Sequence, residues 1–500
     1  MYFQPEMNQP PKFKLARQMG LLAITATGVC SMMGASINIV PFMIHRSVPG
    51  IGPYVLPAFA FAAVPAIFAA LAYAILASAM PRAGGSYLYA SRGLNPYLGF
   101  VASFSQWFGL SIVIGVIAYV CIPFIRDIFT ALNLQEAVTL LEVGWVRVSL
   151  ALVLIWGFVI INIRGVKSYA QTLLPMLFLM LGLVGIVIVA GYMFDTSDFL
   201  TALETKENRQ FTIVENIDFE WKTFLSASAL LFSSFIGFDS IAQTGSEAKN
   251  PTRNLPIAIL LAIFSVGFFY FLFASAVYHV VPWSFVAEEA LTKDITAPGL
   301  LSYVLPSGWG IAILLGAAIA LINDLPAMLL SVSRLMFAWA SDGIFPKSIA
   351  EVHPKYHTPH IALLAAGVIA SIGVLGSHLA GDFFLGIDIM VTSMMVNFLL
   401  MCVTLLTIHR VNPELGNEIS VLKKQSIQRL IGWLGTIILL AFLGMHTYKD
   451  LNSTVSAWYF HSTYVWLIVM LLASLFFAYR WQLLKKNKEN LTEKFKALPD

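Results

Sequence analysis

Charged residues are scarce in this chain. Asp, Glu, Lys and Arg make up 11% of its 500 residues, against about 25% in average soluble domains. Hydrophobic residues make up 58%, and the mean hydropathy is +0.79. So much apolar material cannot be buried in one soluble core, because such cores stop growing beyond roughly 250–300 residues. The scarcity of charge therefore excludes an ordinary soluble protein and predicts a surface that is largely covered by lipid.

Other absences narrow the class further. The three cysteines, Cys30, Cys121 and Cys402, all lie in apolar stretches, which excludes a disulfide framework and any pair with zinc-ligand spacing. No Gly-rich sequence ends in Gly-Lys-Ser/Thr, and no polar stretch is long enough for a nucleotide-binding domain, so ATP is not the expected energy source. The apolar segments contain no paired nucleophile and base. We therefore expect no enzyme, no catalytic residue, no metal and no other cofactor, and a net charge of +3 gives no reason to expect a nucleic-acid partner.

Apolar runs long enough to cross a bilayer, about 20 residues each, occur twelve times. They lie at 20–44, 54–80, 97–125, 144–162, 170–193, 222–245, 256–281, 309–339, 360–378, 384–408, 430–448 and 460–480. Because lipid offers no partner to a free peptide group, each run is expected to be an α-helix. The sequence therefore predicts an all-α integral membrane protein with twelve transmembrane helices, numbered 1 to 12 below.

The basic residues predict the orientation of these helices. Arg82, Arg164, Arg253 and Lys347 fall in alternate connecting segments, and the tail after helix 12 is also basic. Lys and Arg accumulate on the cytoplasmic side, so both termini are expected to be cytoplasmic in a multi-pass protein of the cell membrane. The chain then divides into a cytoplasmic segment 1–19, helices 1–5 at 20–193, an extracellular loop 194–221, helices 6–10 at 222–408, a cytoplasmic loop 409–429, helices 11 and 12 at 430–480, and a cytoplasmic tail 481–500.

Two of the predicted helices contain glycine and small polar residues near their middle. These stretches are 28–38 in helix 1 and 232–240 in helix 6. Small residues can simply let neighbouring helices pack closely. Interruptions at corresponding positions of two halves, however, are typical of the binding site of a transporter built from inverted repeats. The pattern predicts two repeats, helices 1–5 and helices 6–10, with discontinuous helices 1 and 6 and two additional C-terminal helices.

Several motifs resemble one transporter family. Residues 81–87 read Pro-Arg-Ala-Gly-Gly-Ser-Tyr, residues 235–239 read Phe-Ile-Gly-Phe-Asp, and the stretches 247–256 and 333–347 follow in order. Together they resemble the amino acid–polyamine–organocation (APC) superfamily, whose members include the amino acid permeases. The resemblance implies the 5+5 inverted-repeat fold typified by LeuT and transport by alternating access.

The chain also departs from the family pattern. Ala35 and Ser36 stand in the stretch where the family has Gly-x-Gly-Ile, and Ile75 replaces a glutamate. Met180 stands where some proton-coupled members have a lysine, and Ser233 where some have a bulky aromatic gate. Neither the substrate nor the coupling ion can therefore be carried over from a single relative.

The direction of each broken helix predicts which free backbone groups its break offers to a substrate. The outer half of helix 1 begins near Ser36 with free N–H groups, which favour an anion such as a carboxylate. The outer half of helix 6 ends at its break, so its free carbonyl groups can accept hydrogen bonds from an ammonium group. Gln106 in helix 3 is expected to line the same pocket. The predicted substrate-binding residues are Gly34, Ala35, Ser36, Ile37, Phe232, Ser233, Phe235, Gly237 and Gln106.

Two carboxylates lie within predicted spans, Asp239 after the helix 6 break and Asp324 near the middle of helix 8. A charge at this depth costs about 2.5–3.5 kcal/mol on insertion scales and usually marks an ion or substrate path. Asp239 is expected to bind and release the coupling proton, and Asp324 either shares this role or donates a hydrogen bond to a neighbouring helix. Sodium is the rival ion, because Ser331 and Ser333 in helix 8 could join carbonyl groups of helix 1 around it.

These features predict a secondary active transporter of amino acids or related amines, coupled to protons. Coupling to sodium and exchange of one amino acid or polyamine for another stay open as alternatives. A channel or a non-transporting membrane sensor is the alternative from a different class, but the chain has no pore-lining charge rings and no appended signalling domain.

Overall fold

The computed structural model describes residues 14–214, 217–293, 295–380, 383–455, 457–486 and 490–499. Residues 1–13 of the predicted cytoplasmic segment, and residues 381 and 382 at the predicted boundary between helices 9 and 10, lie outside these ranges. Within the described residues the regular structure is helical. Two isolated backbone bridges occur there, but no β-strand.

The described residues form twelve helices long and apolar enough to cross a membrane. In chain order they are Leu21–Ser47, Gly52–Ala79, Pro96–Ala131, Gly144–Ile163, Val166–Met193, Trp221–Gln243, Pro251–Val280, Gly308–Ser341, His360–Leu379, Leu385–Val411, Gln425–Leu451 and Ser462–Lys486. Each coincides with one predicted run, so the predicted all-α membrane fold is confirmed. Several helices extend a few residues past the predicted apolar run. Helix 3, for example, starts at Pro96, where Asn95 Oδ1 accepts a hydrogen bond of 2.9 Å from Leu98 N.

Shorter helices connect these spans. The α-helical ones are Gly85–Gly93, Gln135–Glu142, Thr196–Glu207, Trp283–Thr292, Ala297–Leu301 and Pro413–Asn417, and Leu491–Lys494 follows the last span. The 3₁₀ turns Lys347–Ala350 and Trp458–Phe460 also lie between spans, whereas Gly52–Tyr54 and Phe232–Phe235 are 3₁₀ turns within helices 2 and 6. Part of the stretch 194–221, predicted only as a loop, is therefore helical. Its helix is stabilised by a capping box, in which Asp195 accepts from the backbone of Asp198 and Asp198 from that of Asp195.

The broken helices lie at the centre of the bundle. The most apolar stretch of helix 1 is buried at its described side chains, and in that of helix 6 the buried share is 89%, against 28% in helix 12. Helix 1 packs on helices 5, 7 and 8, helix 6 packs on helices 2 and 11, and helix 3 packs on helices 8, 9 and 10. Outer helices present large apolar side chains, including Val153, Phe178, Phe268 and Leu475, each more than half exposed. Such a surface needs lipid around it.

Candidate functional site

Helix 1 is interrupted at Met33 and Gly34. Its inner half, Leu21–Met32, ends where Met33 N donates to Val29 O at 2.9 Å, and its outer half, Ala35–Ser47, begins after Gly34 at ψ −115°. The freed carbonyl of Met32 accepts a hydrogen bond of 2.7 Å from the hydroxyl of Tyr270 in helix 7. The interruption thus places carbonyl groups and peptide N–H groups side by side in the centre of the bundle.

Helix 6 is interrupted beside the same point. Its first part, Trp221–Leu231, continues as the 3₁₀ turn Phe232–Phe235, and a short helix, Asp239–Gln243, follows the break. Gly237 lies in the break with φ +140°, a conformation that L side chains rarely adopt. A Cβ atom at Gly237 would overlap the carbonyl group of Ser31, so the two interruptions are in contact. The Ser31 hydroxyl also donates to the Ser240 hydroxyl at 3.2 Å.

A small cavity lies between the two interruptions. Its volume is about 20 Å³, which is room for about one water molecule. Its walls come from helices 1, 3, 6, 8 and 10. The lining residues are Ser31, Val40, Val113, Val116, Ile117, Ser233, Ile236, Asp324, Met328, Ile387 and Met390. The described conformation is therefore closed around this position, and it would have to widen to admit an amino acid or an amine.

Asp324 projects from the middle of helix 8 to the break in helix 1. Its side chain is buried and lines the cavity, and its carboxylate lies so close to Gly34 that a Cβ atom there would overlap it. Gly34 is the residue immediately before the outer half of helix 1. The neighbouring Asn323 donates from Nδ2 to Cys30 Sγ at 3.0 Å, which fixes helix 8 against the inner half of helix 1.

Asp239 is fully buried beside the break in helix 6, and its carboxylate accepts hydrogen bonds from two residues. Its Oδ1 accepts from Gly237 N at 3.1 Å, and its Oδ2 accepts from Gln106 Nε2. Gln106 is oriented in turn, because its Oε1 accepts from Ser86 Oγ at 2.5 Å and from Gln243 Nε2 at 3.3 Å. Within the described residues Asp239 has no basic partner. Gln106 therefore holds this carboxylate and is not among the residues that line the cavity.

The remaining predicted residues fall into two groups. Phe232 packs against Phe398 and Phe442, and Phe235 packs against Phe59 and Tyr270. Both rings therefore stabilise the helix 6 break through contacts with other aromatic rings. Ala35 and Ser36 begin the outer half of helix 1, but their side chains are outside the described parts of the structure, and Ile37 is buried.

Ser233 differs from its neighbours. Its carbonyl accepts from Ile236 N at 3.2 Å. Its hydroxyl is buried, lines the cavity and has no hydrogen-bond partner among the described residues. Ser31, in the small-residue stretch 28–38, also lines the cavity. Val113, Met328, Ile387 and Met390 line it too, but nothing in their local sequence distinguishes them from other residues of apolar helices. Among the described residues, no group of three or more His, Cys, Asp or Glu is arranged to hold a metal ion.

The predicted cytoplasmic side of the cavity is closed by a buried ion pair. Arg334 in helix 8 contacts Glu247, after helix 6, through Nη2–Oε1 at 2.5 Å and Nε–Oε2 at 3.0 Å, and both side chains are fully buried. Backbone contacts reinforce the closure, since Met19 N donates to Glu247 O at 3.0 Å and Lys249 N donates to Met19 O at 2.8 Å. These contacts join the segment before helix 1 to the segment after helix 6 on the predicted cytoplasmic side of the two breaks.

A second buried ion pair lies on the same side. Arg92, in the helix Gly85–Gly93, contacts Asp342 at the end of helix 8 at 2.6 Å and 3.0 Å, and the Tyr87 hydroxyl donates to the same carboxylate at 2.8 Å. The Arg92 guanidinium also donates to Ala497 O at 3.2 Å and lies 5.1 Å from the ring centroid of Phe495. The segment after helix 12 therefore covers this pair.

The predicted extracellular side is covered by the loop between helices 7 and 8. Its helix Trp283–Thr292 packs on the outer half of helix 1, where Arg46 Nε donates to Ala290 O at 2.5 Å. Arg209, from the loop before helix 6, pairs with Glu289 at 2.6 Å, and Lys293 also contacts Glu289. Burial acts to raise the pKa of Glu289, but the hydrogen bonds from Lys293 and Arg209 outweigh it, so its pKa is lowered.

Comparisons with known proteins agree with this architecture. A family model described as "Amino acid permease" matches residues 19–477. The chain is 24% identical over 381 residues to a branched-chain amino acid permease of Bacillus subtilis, covering 73% of this chain and 75% of that protein. It is 26% identical over 324 residues to a low-affinity putrescine importer of Escherichia coli, covering 64% and 67%. It is 28% identical over 367 residues to a vacuolar cationic amino acid transporter of Arabidopsis thaliana, covering 72% and 58%. With its twelve apolar helices and a family match over most of its length, the chain belongs to the amino acid permease family.

Proposed function

We propose that this chain is a secondary active transporter that moves amino acids or related amines across the cell membrane by alternating access. The observation that carries the proposal is the small cavity between two touching helix interruptions, enclosed on both sides by separate sets of contacts. The similarity to permeases and importers of amino acids and of putrescine supports the same class of substrate.

Opening toward the predicted cytoplasm requires the contact between Glu247 and Arg334 to separate. Leaving one charge of a buried pair without its partner costs about 3–5 kcal/mol. Water must therefore reach both groups as they part, which links opening to hydration of the cytoplasmic half of the site. The contacts of Met19 with the segment after helix 6 must separate in the same movement.

Opening toward the predicted exterior requires a different set of contacts to break. The helix Trp283–Thr292 would have to leave the outer half of helix 1, which removes the hydrogen bond from Arg46 to Ala290. Because the two closures share no residue, one can open while the other stays closed. This independence is the structural requirement for alternating access.

Asp239 is the proposed proton-binding group. As a carboxylate it accepts hydrogen bonds from Gly237 in the helix 6 break and from Gln106 in helix 3. Protonation removes its negative charge and weakens both contacts, since hydrogen bonds to a charged group are about twice as strong as neutral ones. The presence of the proton would thus change how firmly helix 6 is held against helix 3. One proton crossing 100 mV releases about 2.3 kcal/mol, enough for roughly 50-fold accumulation.

Sodium is the less favoured ion. Of the two helix 8 hydroxyls that could bind it, Ser333 already donates to Leu330 O at 2.7 Å and accepts from Arg334 Nη1 at 2.9 Å. A guanidinium group this close would repel a second cation. Ser331 has no hydrogen-bond partner among the described residues, but one hydroxyl does not form a sodium site.

Purified protein in liposomes tests this proposal. Vesicles with an acidic outside and a negative inside, but no sodium gradient, are expected to accumulate labelled leucine, 3-methylbutylamine or 1,4-diaminobutane. Vesicles with an equal sodium gradient and no proton gradient are expected to show only equilibration. Accumulation driven by sodium alone would contradict proton coupling, and accumulation of no amino acid or amine under either gradient would contradict the transport function.

A further inference from the structure

The start of the outer half of helix 1 is already next to a carboxylate. This half, Ala35–Ser47, has thirteen residues, and its first N–H groups have no partner within the helix. Such a helix start favours an anion. The Asp324 carboxylate lies against Gly34, the residue immediately before this helix. The position at which a transported amino acid would place its carboxylate is therefore filled by a carboxylate of the protein.

The same carboxylate is part of the cavity wall. Among the described residues that line the cavity, Asp324 has the one ionisable side chain. The nearby polar wall consists of the Ser31 and Ser233 hydroxyls, and the Ser233 hydroxyl is buried without a hydrogen-bond partner among the described residues. A negative charge next to an unused hydroxyl suits a positively charged group that can donate several hydrogen bonds, as an ammonium group does.

The rest of the wall is apolar. Val113, Val116 and Ile117 come from helix 3, Met328 from helix 8, and Ile387 and Met390 from helix 10. Methionine side chains are unbranched and adaptable, so Met328 and Met390 can move aside when the cavity widens. An apolar wall favours a hydrocarbon body and disfavours a second charged end.

Resting on the transport function proposed above, we infer that the substrate is a primary amine without an α-carboxyl group. Its ammonium group binds between the Asp324 carboxylate and the Ser233 hydroxyl, and its hydrocarbon body lies among Val113, Met328 and Met390. An amino acid is disfavoured because its own carboxylate would have to approach the start of the helix 1 outer half, where Asp324 already carries the same charge.

Matched pairs of compounds that differ only in the carboxyl group test this inference. The pairs are 3-methylbutylamine with leucine, and 2-phenylethylamine with phenylalanine, with 1,4-diaminobutane as a compound carrying two charges. In detergent, each amine is expected to raise the melting temperature of the wild type at concentrations at least tenfold lower than its amino acid. An amino acid that stabilises the protein at the same or a lower concentration than its amine would overturn the inference.

Two substitutions at one position sharpen the test. Asp324→Asn keeps the shape but removes the charge, so the affinity for 3-methylbutylamine is expected to fall at least tenfold. Asp324→Gly also vacates the start of the helix 1 outer half, so the preference should shift toward leucine, whose carboxylate can take that place. Asp388→Asn is the control. It removes another carboxylate, from helix 10, which lines a separate pocket with His446 and Asp450 and not this cavity, so it should leave the preference unchanged. An Asp324→Asn protein that binds the amine as wild type does would contradict the inference.

The same liposomes distinguish the transport function from the choice of substrate. Wild-type protein that accumulates leucine but not 3-methylbutylamine supports the transport function and contradicts the amine assignment. Accumulation of neither compound class would contradict the transport function, and the amine assignment with it. If the Asp324 variants do not fold, the wild-type comparison of each amine with its amino acid still decides, and Ser233→Ala provides a milder variant that is expected to weaken amine binding alone.

Discussion

Gly237 lies directly against the carbonyl group of Ser31, so the interruptions of helices 6 and 1 touch at a point where no side chain can be added. Gly237 also has a positive φ of 140° and donates its N–H to Asp239. A single residue thus joins the two interruptions to the proposed proton-binding carboxylate.

Gly237→Ala is expected to abolish transport. The backbone strain alone should cost about 1–3 kcal/mol, and the new methyl group would push helix 1 away from helix 6. Membrane insertion should persist, because the apolar length of helix 6 is unchanged. Uptake in liposomes and the yield of monodisperse protein measure the two effects. Gly182→Ala in helix 5, where a Cβ atom meets nothing within 4 Å, is the control, and equal uptake by both variants would contradict the assignment.

Asp239→Asn should imitate the protonated state permanently. The amide keeps the size of the side chain but cannot bind and release a proton, so substrate binding and exchange should survive while pH-driven accumulation is lost. Counterflow of labelled against unlabelled substrate, measured beside uptake under a pH gradient, separates these activities. Wild-type accumulation by the variant would show that the coupling proton binds elsewhere.

Glu247→Gln is expected to destabilise the protein by about 3–5 kcal/mol, because it leaves the buried Arg334 guanidinium without its counter-charge. The double substitution Glu247→Gln with Arg334→Met removes both charges, so it should recover most of this loss. Chemical unfolding in detergent measures the difference. Equal stability of the single and double variants would indicate that water already reaches the pair.

The Arg209–Glu289–Lys293 cluster makes the stability of the outer loop depend on pH. The pKa of Glu289 is lower in the folded protein than in the unfolded chain. Its contribution is therefore complete above the unfolded value, about 4.3, and is lost as the pH falls through the folded value. The melting temperature of wild type should exceed that of Glu289→Gln at pH 7, and the difference should shrink as the pH falls below about 4. A difference that grows with acidity would contradict this account.

The transmembrane helices were predictable because the length of an apolar run is a local property of the sequence. The helix Thr196–Glu207 was missed because a search for apolar runs ignores capping, although the Asp195 and Asp198 pair was visible in the sequence. Contacts between distant residues had no local signal. Asp324 and Gly34 are almost three hundred positions apart, and only the packing of helix 8 on helix 1 brings them together.

Gln106 is a second case in which the local sequence did not indicate the contacts of a side chain. Its polarity within an apolar helix correctly marked it as unusual, but a lone amide can contact a substrate or orient a neighbouring side chain. Its hydrogen bonds to Asp239, Ser86 and Gln243 are set by helices 3 and 6 and by the helix that follows helix 2. Sequence periodicity contains no information about which of these partners lies within reach.

The small volume of the central cavity determines how strongly its single charge acts. In bulk water, opposite charges 4 Å apart attract by about 1 kcal/mol, but at an effective dielectric constant near 20 the attraction is about 4 kcal/mol. With room for about one water molecule, the surroundings of Asp324 resemble the second case more than the first. One carboxylate in so dry a place can distinguish molecules by their charge, which a row of carboxylates on a wet surface could not do.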